Sequence, residues 1–220
     1  MGKLIVIEGV CDGVGKTTQT KELIKNLIND GKEVITHHFP TYGSIGASLV
    51  ETYLNGDLGS REEVGVYPVS CFFAMDRYYV YKTKLEKVLN DDKIVVLDRY
   101  ISSNLIYQSS LLKGKEKDDY LNYITDFEYN KLGLRKPDVV IFLNLGKEYA
   151  TKLRKKRVDN EGIVNDINER DDFFLNTVYD NSLEIAKKYN YKVVECEKNG
   201  ELRSISDISL EIYKIVSSLF

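Results

Sequence analysis

Along the chain the apolar residues gather into three short unbroken runs, Leu4–Ile7, Ile94–Leu97 and Val139–Leu143, separated by longer polar stretches. Continuous runs of this length, without polar alternation, are what strands buried on both faces require. Glu33–His38 and Lys192–Cys196 are weaker strand candidates. Between the runs the apolar spacing changes to a helical period. Thr17–Asn29 carries Leu23, Leu27 and Ile28, and Gly31 follows as a stop signal. Val64–Asn90 reads as one long helix with Pro68 near its start, where proline is tolerated. Lys117–Lys131, Glu148–Arg157, Asp171–Tyr189 and Ser204–Leu219 complete the predicted helices. Strands alternating with helices predict an α/β layer fold with a mostly parallel sheet.

Composition narrows this only slightly. The 220 residues are 43% hydrophobic and 30% charged, enough for a continuous core without metal or disulfide staples. No repeat or Pro/Gly/Ser linker divides the chain, so residues 1–220 read as one domain. A net charge of −3 argues against a strongly basic nucleic-acid binder. Cys11, Cys71 and Cys196 are scattered, which fits neither a disulfide framework nor a thiolate zinc site and suits a reducing compartment. Glu8 interrupts the first apolar run, well short of the roughly 7–15 residues of a signal-peptide core and the roughly 20 of a membrane span. Val6 stands where myristoylation needs Ser or Thr, so the expectation is a cytoplasmic protein with no membrane partner.

The chemistry starts at Asp12-Gly13-Val14-Gly15-Lys16-Thr17-Thr18, directly after the first strand and opening a helix. Glycines let successive backbone N–H groups turn inward around phosphate oxygens, and a helix N-terminus adds donors and partial positive charge. Lys16 then reaches the β- and γ-phosphates, and the Thr17 hydroxyl can ligate Mg²⁺. The usual motif places a glycine where Val10 stands, whereas here it is Gly9, one residue early. Either the extra residue near Cys11 bulges at the mouth of the loop, or it deforms the cradle. A carboxylate at Asp12, beside a polyphosphate, calls for a sugar hydroxyl, a metal or solvent as its partner.

A second constellation is Asp98-Arg99-Tyr100 at the end of a buried strand. Alternation along a strand sends Asp98 toward the metal region and Arg99 elsewhere, with a second phosphate as its natural bidentate partner. The carboxyl end of a parallel strand is where ligands bind in open α/β sheets. On the long helix Phe73 and Arg77 are four residues apart and share a face. That pair is either a stacking surface with a guanidinium donor for a nucleobase, or a core phenylalanine beside a surface arginine. His37 and His38 suggest no third ligand or nucleophile nearby, and Tyr78, Tyr79 and Tyr81 read as packing or a subunit interface. From Lys152 to Arg157 five of six residues are basic, and Asp159–Asp172 is acid-rich, which by composition is a solvated, mobile surface.

Taken in order, the phosphate loop, Phe39-Pro40, FFAMDRY (72–78) and DRYISSNLIYQ (98–108) resemble the thymidylate kinase family of P-loop nucleoside monophosphate kinases, over almost the whole chain. The resemblance implies a three-layer P-loop NTPase fold, with a parallel five-stranded sheet flanked by helices and a flexible lid at about 152–170. It implies ATP as co-substrate, dTMP as acceptor, Mg²⁺ as cofactor and a homodimer. By resemblance, Gly13, Val14, Gly15, Lys16, Thr17 and Thr18 hold ATP, and Thr17 and Asp98 hold the metal. Phe73 stacks on thymine, Arg77 contacts a base carbonyl, Asn104 bonds the pyrimidine edge, and Tyr107 lies beneath the deoxyribose, crowding out a 2′-hydroxyl. Arg99 takes the acceptor phosphate, while Asp12, Phe39, Pro40 and Tyr42 line the same site. Because Gly13 and Val14 leave the loop without an arginine, the lid supplies one: Arg157 is the best match, Arg154 next and Arg170 third. The sequence departs from the pattern at Thr41, where many relatives carry arginine, and at Asn144, where they usually carry aspartate. Two other readings stay open: a deoxynucleotide or nucleoside kinase of different base choice, and a nucleotide-binding protein of the same fold that has lost catalysis.

Overall fold

Five strands join into one parallel sheet in the order β2-β3-β1-β4-β5, in a computed structural model that describes residues 2–10, 13–153 and 171–220. They are β1 (Lys3–Glu8), β2 (Val34–His38), β3 (Ile94–Asp98), β4 (Val139–Asn144) and β5 (Lys192–Glu195). The three unbroken apolar runs became the three inner strands, and they are buried along nearly their whole length. The two weaker candidates became the edges, where only one side of each strand is covered: Ile35 on β2 and Val193 on β5 face solvent. That is why their apolar signal was diluted.

Helices flank the sheet as expected. They are α1 (Lys16–Asn29), α2 (Ser48–Asn55), α3 (Arg61–Val64), α4 (Val66–Val80), α5 (Glu86–Asn90), α6 (Ile101–Tyr107), α7 (Gly114–Thr125), α8 (residues 147–153), α9 (Asp172–Lys188) and α10 (Ile205–Ser217). The long helix expected from Val64 begins at Val66, because Gly65 takes a φ of +80° and ends α3. It then runs through one π turn, Tyr81–Leu85, into α5. The helix expected at Lys117–Lys131 begins earlier, at Gly114, and closes in a second π turn, Asp126–Lys131. The short helices α2 and α6 and a small hairpin (Glu197–Lys198 with Glu201–Leu202) carried no readable period.

One large apolar core runs along the sheet, and a satellite of Val50, Tyr53, Leu54 and Val69 lies between α2 and α4, with Phe72 and Phe73 against it. Sheet register sets the site. Ile7 and His38 both pair with Asp98, so the carboxyl ends of β1, β2 and β3 lie side by side. The loops that leave them emerge at one edge, the position at which parallel sheets bind ligands. Among the described residues no helix is long and apolar enough to cross a membrane.

Candidate active site

The site grows from the turn between β1 and α1. Gly13 and Gly15 adopt φ of +88° and +99°, a region in which a side chain would be strained. Gly15 is the N-cap of α1 and, as a glycine, offers no capping side chain, so the first-turn N–H groups of the helix stand at the end of the phosphate loop. Lys16, the first residue of α1, is almost completely buried. The backbone of Gly13 lies close to Leu153 of α8, so the segment that leads toward residues 154–170 abuts the phosphate loop. Cys11, Asp12, Arg154, Arg157 and Arg170 lie outside the described residues.

Thr17 Oγ1 donates to Asp98 Oδ2 at 3.2 Å, which joins the loop to the end of β3. His38 Nδ1 lies 3.4 Å from the same carboxylate oxygen. Burial pushes the Asp98 carboxyl up, but its bond to His38 and the charges of Lys16 and Arg99 outweigh this and hold it below the usual range. The other oxygen, Oδ1, is buried and has no hydrogen-bond partner among the described residues. A buried, ionised carboxylate with one unclaimed oxygen beside a hydroxyl is an all-oxygen donor set, and it fits a hard cation such as Mg²⁺. His38, set aside on sequence, belongs to this cluster.

Arg99 sits next to it with a φ of +68°, in the left-handed region. Its Nη1 approaches Glu8 Oε1 at 3.4 Å and the Gly9 carbonyl at 3.5 Å, and its guanidinium lies over the Tyr107 ring. Glu8 is fully buried. Its Oε2 accepts from Ser102 at 2.7 Å and Ser103 at 2.8 Å, and its Oε1 accepts from the Gly9 N–H at 3.0 Å. Sequence reading treated Glu8 only as the end of an apolar run. An acidic residue closing a strand buried on both faces was the signal available, since such a charge needs several donors. Tyr107 donates its hydroxyl to the Val10 carbonyl, and its ring tilts against Phe174 of α9, over which Arg61 of α3 lies.

The remaining predicted residues divide into two groups. Phe39 is buried between His37 and Tyr100, and its N–H bonds the Asp98 carbonyl, so it braces the β2 and β3 ends; the Phe39–Pro40 peptide is cis. Thr41 donates its N–H to Asp76 at 2.8 Å, and Tyr42 is 59% exposed on the same loop. Deeper in, Arg77 is no surface residue: it is 1% exposed. Its Nε and Nη2 donate to the two oxygens of the fully buried Glu128 at 2.6 Å each. Burial works against the guanidinium's charge, but Glu128 more than offsets it. Asn104 of α6 joins them through Glu128 Oε1 at 2.9 Å and the Ser70 carbonyl at 3.1 Å. Phe73, one turn before Arg77, is half-buried against the satellite core. Nothing in the local sequence marked Glu128, because its partners are 24 and 51 residues away. Asn144, the departure noted on β4, pairs with Glu195 and Tyr179 and completes an edge network.

Comparison with known proteins agrees with this geometry. A family model described as thymidylate kinase matches residues 7–205. A probable thymidylate kinase from Methanocaldococcus jannaschii is 35% identical over 94% of this chain and 92% of its own length. The thymidylate kinase of Mycobacterium tuberculosis is 33% identical over 76% of this chain and 78% of its own. A solved thymidylate kinase structure from Candida albicans superposes with a TM-score of 0.72 at 24% identity, covering 99% of this chain and 92% of that one, and so shares the fold. With the phosphate loop, the Asp98-Arg99 pair and the buried Arg77 and Asn104 all in place, the chain belongs to the thymidylate kinase family.

Proposed function

We propose that this protein is a cytoplasmic, Mg²⁺-dependent thymidylate kinase, which moves the γ-phosphoryl group of ATP onto dTMP and releases ADP and dTDP. The observation that supports the reading is the Thr17–Asp98 hydrogen bond, which joins the phosphate loop to the end of β3, next to Arg99. In the reaction a dTMP phosphate oxygen forms the new bond to the γ-phosphorus, while the bond to the β–γ bridging oxygen breaks and its electrons leave on ADP. Such transfers ask the protein mainly for alignment and charge neutralisation.

The first-turn N–H groups of α1, the loop at Gly13 to Thr18 and Lys16 hold the ATP phosphates. Arg99, held by Glu8 and the Gly9 carbonyl, binds the dTMP phosphate. Phe73, Arg77 and Asn104 take the base; Asp12, Phe39, Pro40, Tyr42 and Tyr107 complete the sugar and phosphate side. Thr17 and Asp98 would hold Mg²⁺, which when bound supplies charge neutralisation at the transferring phosphates. Arg157, with Arg154 next, is the lid cation of this reading, and the working unit is a homodimer.

A coupled ADP-release assay with ATP and Mg²⁺ tests it across dTMP, dUMP, dCMP, dGMP, UMP and thymidine. The expected result is turnover that prefers dTMP. Turnover preferring another acceptor would reassign the base pocket. Absence of turnover in folded protein that binds ATP would make the protein a nucleotide binder of the same fold.

A further inference from the structure

Both amide protons of Asn104 are committed inside the protein, one to the Ser70 carbonyl and one to Glu128 Oε1. A carbonyl oxygen and an ionised carboxylate can only accept. Reversing the amide would therefore set its oxygen against two other acceptor oxygens, so chemistry fixes which end of Asn104 faces where. Its Oδ1 accepts from none of the described residues. Glu128 pairs with Arg77, whose guanidinium is always charged, and its two oxygens fix the guanidinium plane through Nε and Nη2. The third nitrogen, Nη1, is directed to the Tyr100 carbonyl at 3.5 Å. One fully buried carboxylate on the π turn after α7 thus orients two residues carried by α4 and α6.

We infer that Glu128 is the positioning residue for base selection. It leaves Asn104 presenting an acceptor and Arg77 presenting donors. The matching base edge carries a ring N–H next to a carbonyl, as thymine and uracil do. Cytosine offers the reverse, a ring nitrogen that accepts and an amino group that donates, and meets acceptor with acceptor and donor with donor. The inference rests on the reading above that Asn104 and Arg77 face the pyrimidine edge.

Glu128→Gln keeps the shape but must turn an NH₂ group either to Arg77 Nε–H or to the shared N–H groups of Arg77 and Asn104. Either choice breaks the orientation. Calorimetric titration of dTMP, dCMP and ATP into the full chain tests this directly, without requiring turnover. The preference for dTMP over dCMP should fall roughly ten- to hundredfold in Glu128→Gln, with ATP affinity unchanged. Glu128→Asp, which keeps the charge but withdraws it by one methylene, should fall in the same direction and serves if the glutamine variant does not fold. A folded variant that retains the wild-type dTMP:dCMP ratio overturns the inference, whatever happens to its melting temperature. A wild-type protein that binds ATP but does not distinguish dTMP from dCMP instead overturns the base-pocket reading, and the inference with it. A crystal structure of the wild type with dTMP provides a check free of variants: Asn104 Oδ1 should face the ring N–H, and an amide nitrogen there would also overturn it.

Discussion

Thr17 on α1 and Asp98 at the end of β3 are 81 residues apart in sequence and share a hydrogen bond of 3.2 Å. This bond engages the hydroxyl and one carboxylate oxygen, while Asp98 Oδ1 is buried with no hydrogen-bond partner among the described residues. Thr17→Val removes one oxygen donor while preserving the side chain's shape. The Mg²⁺ concentration giving half-maximal rate should rise about tenfold or more, with dTMP affinity little changed. A magnesium titration of the initial rate measures it.

Arg99→Ala removes the cation assigned to the acceptor phosphate and leaves Glu8 without that partner. The loss of charge-assisted bonds, about 1.5–3 kcal/mol, should raise the KM for dTMP roughly ten- to hundredfold. The KM for ATP should hardly move. Steady-state kinetics with each substrate varied in turn separates the two, and a defect confined to ATP would remove Arg99 from the acceptor site.

Tyr107 is fixed by its bond to the Val10 carbonyl, by Arg99 across its ring and by Phe174 behind it. Tyr107→Ala opens the space that the proposed function assigns to the sugar. The ratio of kcat/KM for dUMP over UMP should shrink by about tenfold, and an unchanged ratio would place the ring elsewhere.

His37 gives the fold an acid sensitivity of its own. Burial, and then the charges of Lys84 and His38, lower its pKa from 6.5 to about 4, and its Nε2 pairs with Thr41 at 2.9 Å. The unfolded chain takes up this proton below about 6.5, whereas the folded chain does not do so until about 4. His37 therefore contributes a loss of stability as pH falls through that window, and none above it. Urea unfolding of the wild type and His37→Gln at pH 7.5, 5.5 and 4.5 should show the variant losing less stability on acidification.

Much of the architecture was legible because parallel strands are buried on both faces, so β1, β3 and β4 appear as unbroken apolar runs. The phosphate loop was legible because its glycines, Lys16 and Thr17 act within one turn of chain. The short helices α2 and α6 were not, since seven or eight residues hold too little of the helical period to read. Glu8, His38 and Glu128 were missed for another reason. Each acts through partners brought by a different strand or helix, and no local pattern records such a meeting. Arg77 was read as sharing a face with Phe73, yet its complete burial goes with its pairing to Glu128 and was invisible for the same reason.

The central claim is phosphoryl transfer to dTMP, and following the label from γ-labelled ATP tests it most directly. In the presence of Mg²⁺ the label should appear in dTDP, with one ADP formed for each dTDP. Lys16→Ala should reduce the rate by about 10²–10³ through loss of charge stabilisation at the phosphates. Label recovered only as inorganic phosphate, or equal transfer by Lys16→Ala, would contradict the account.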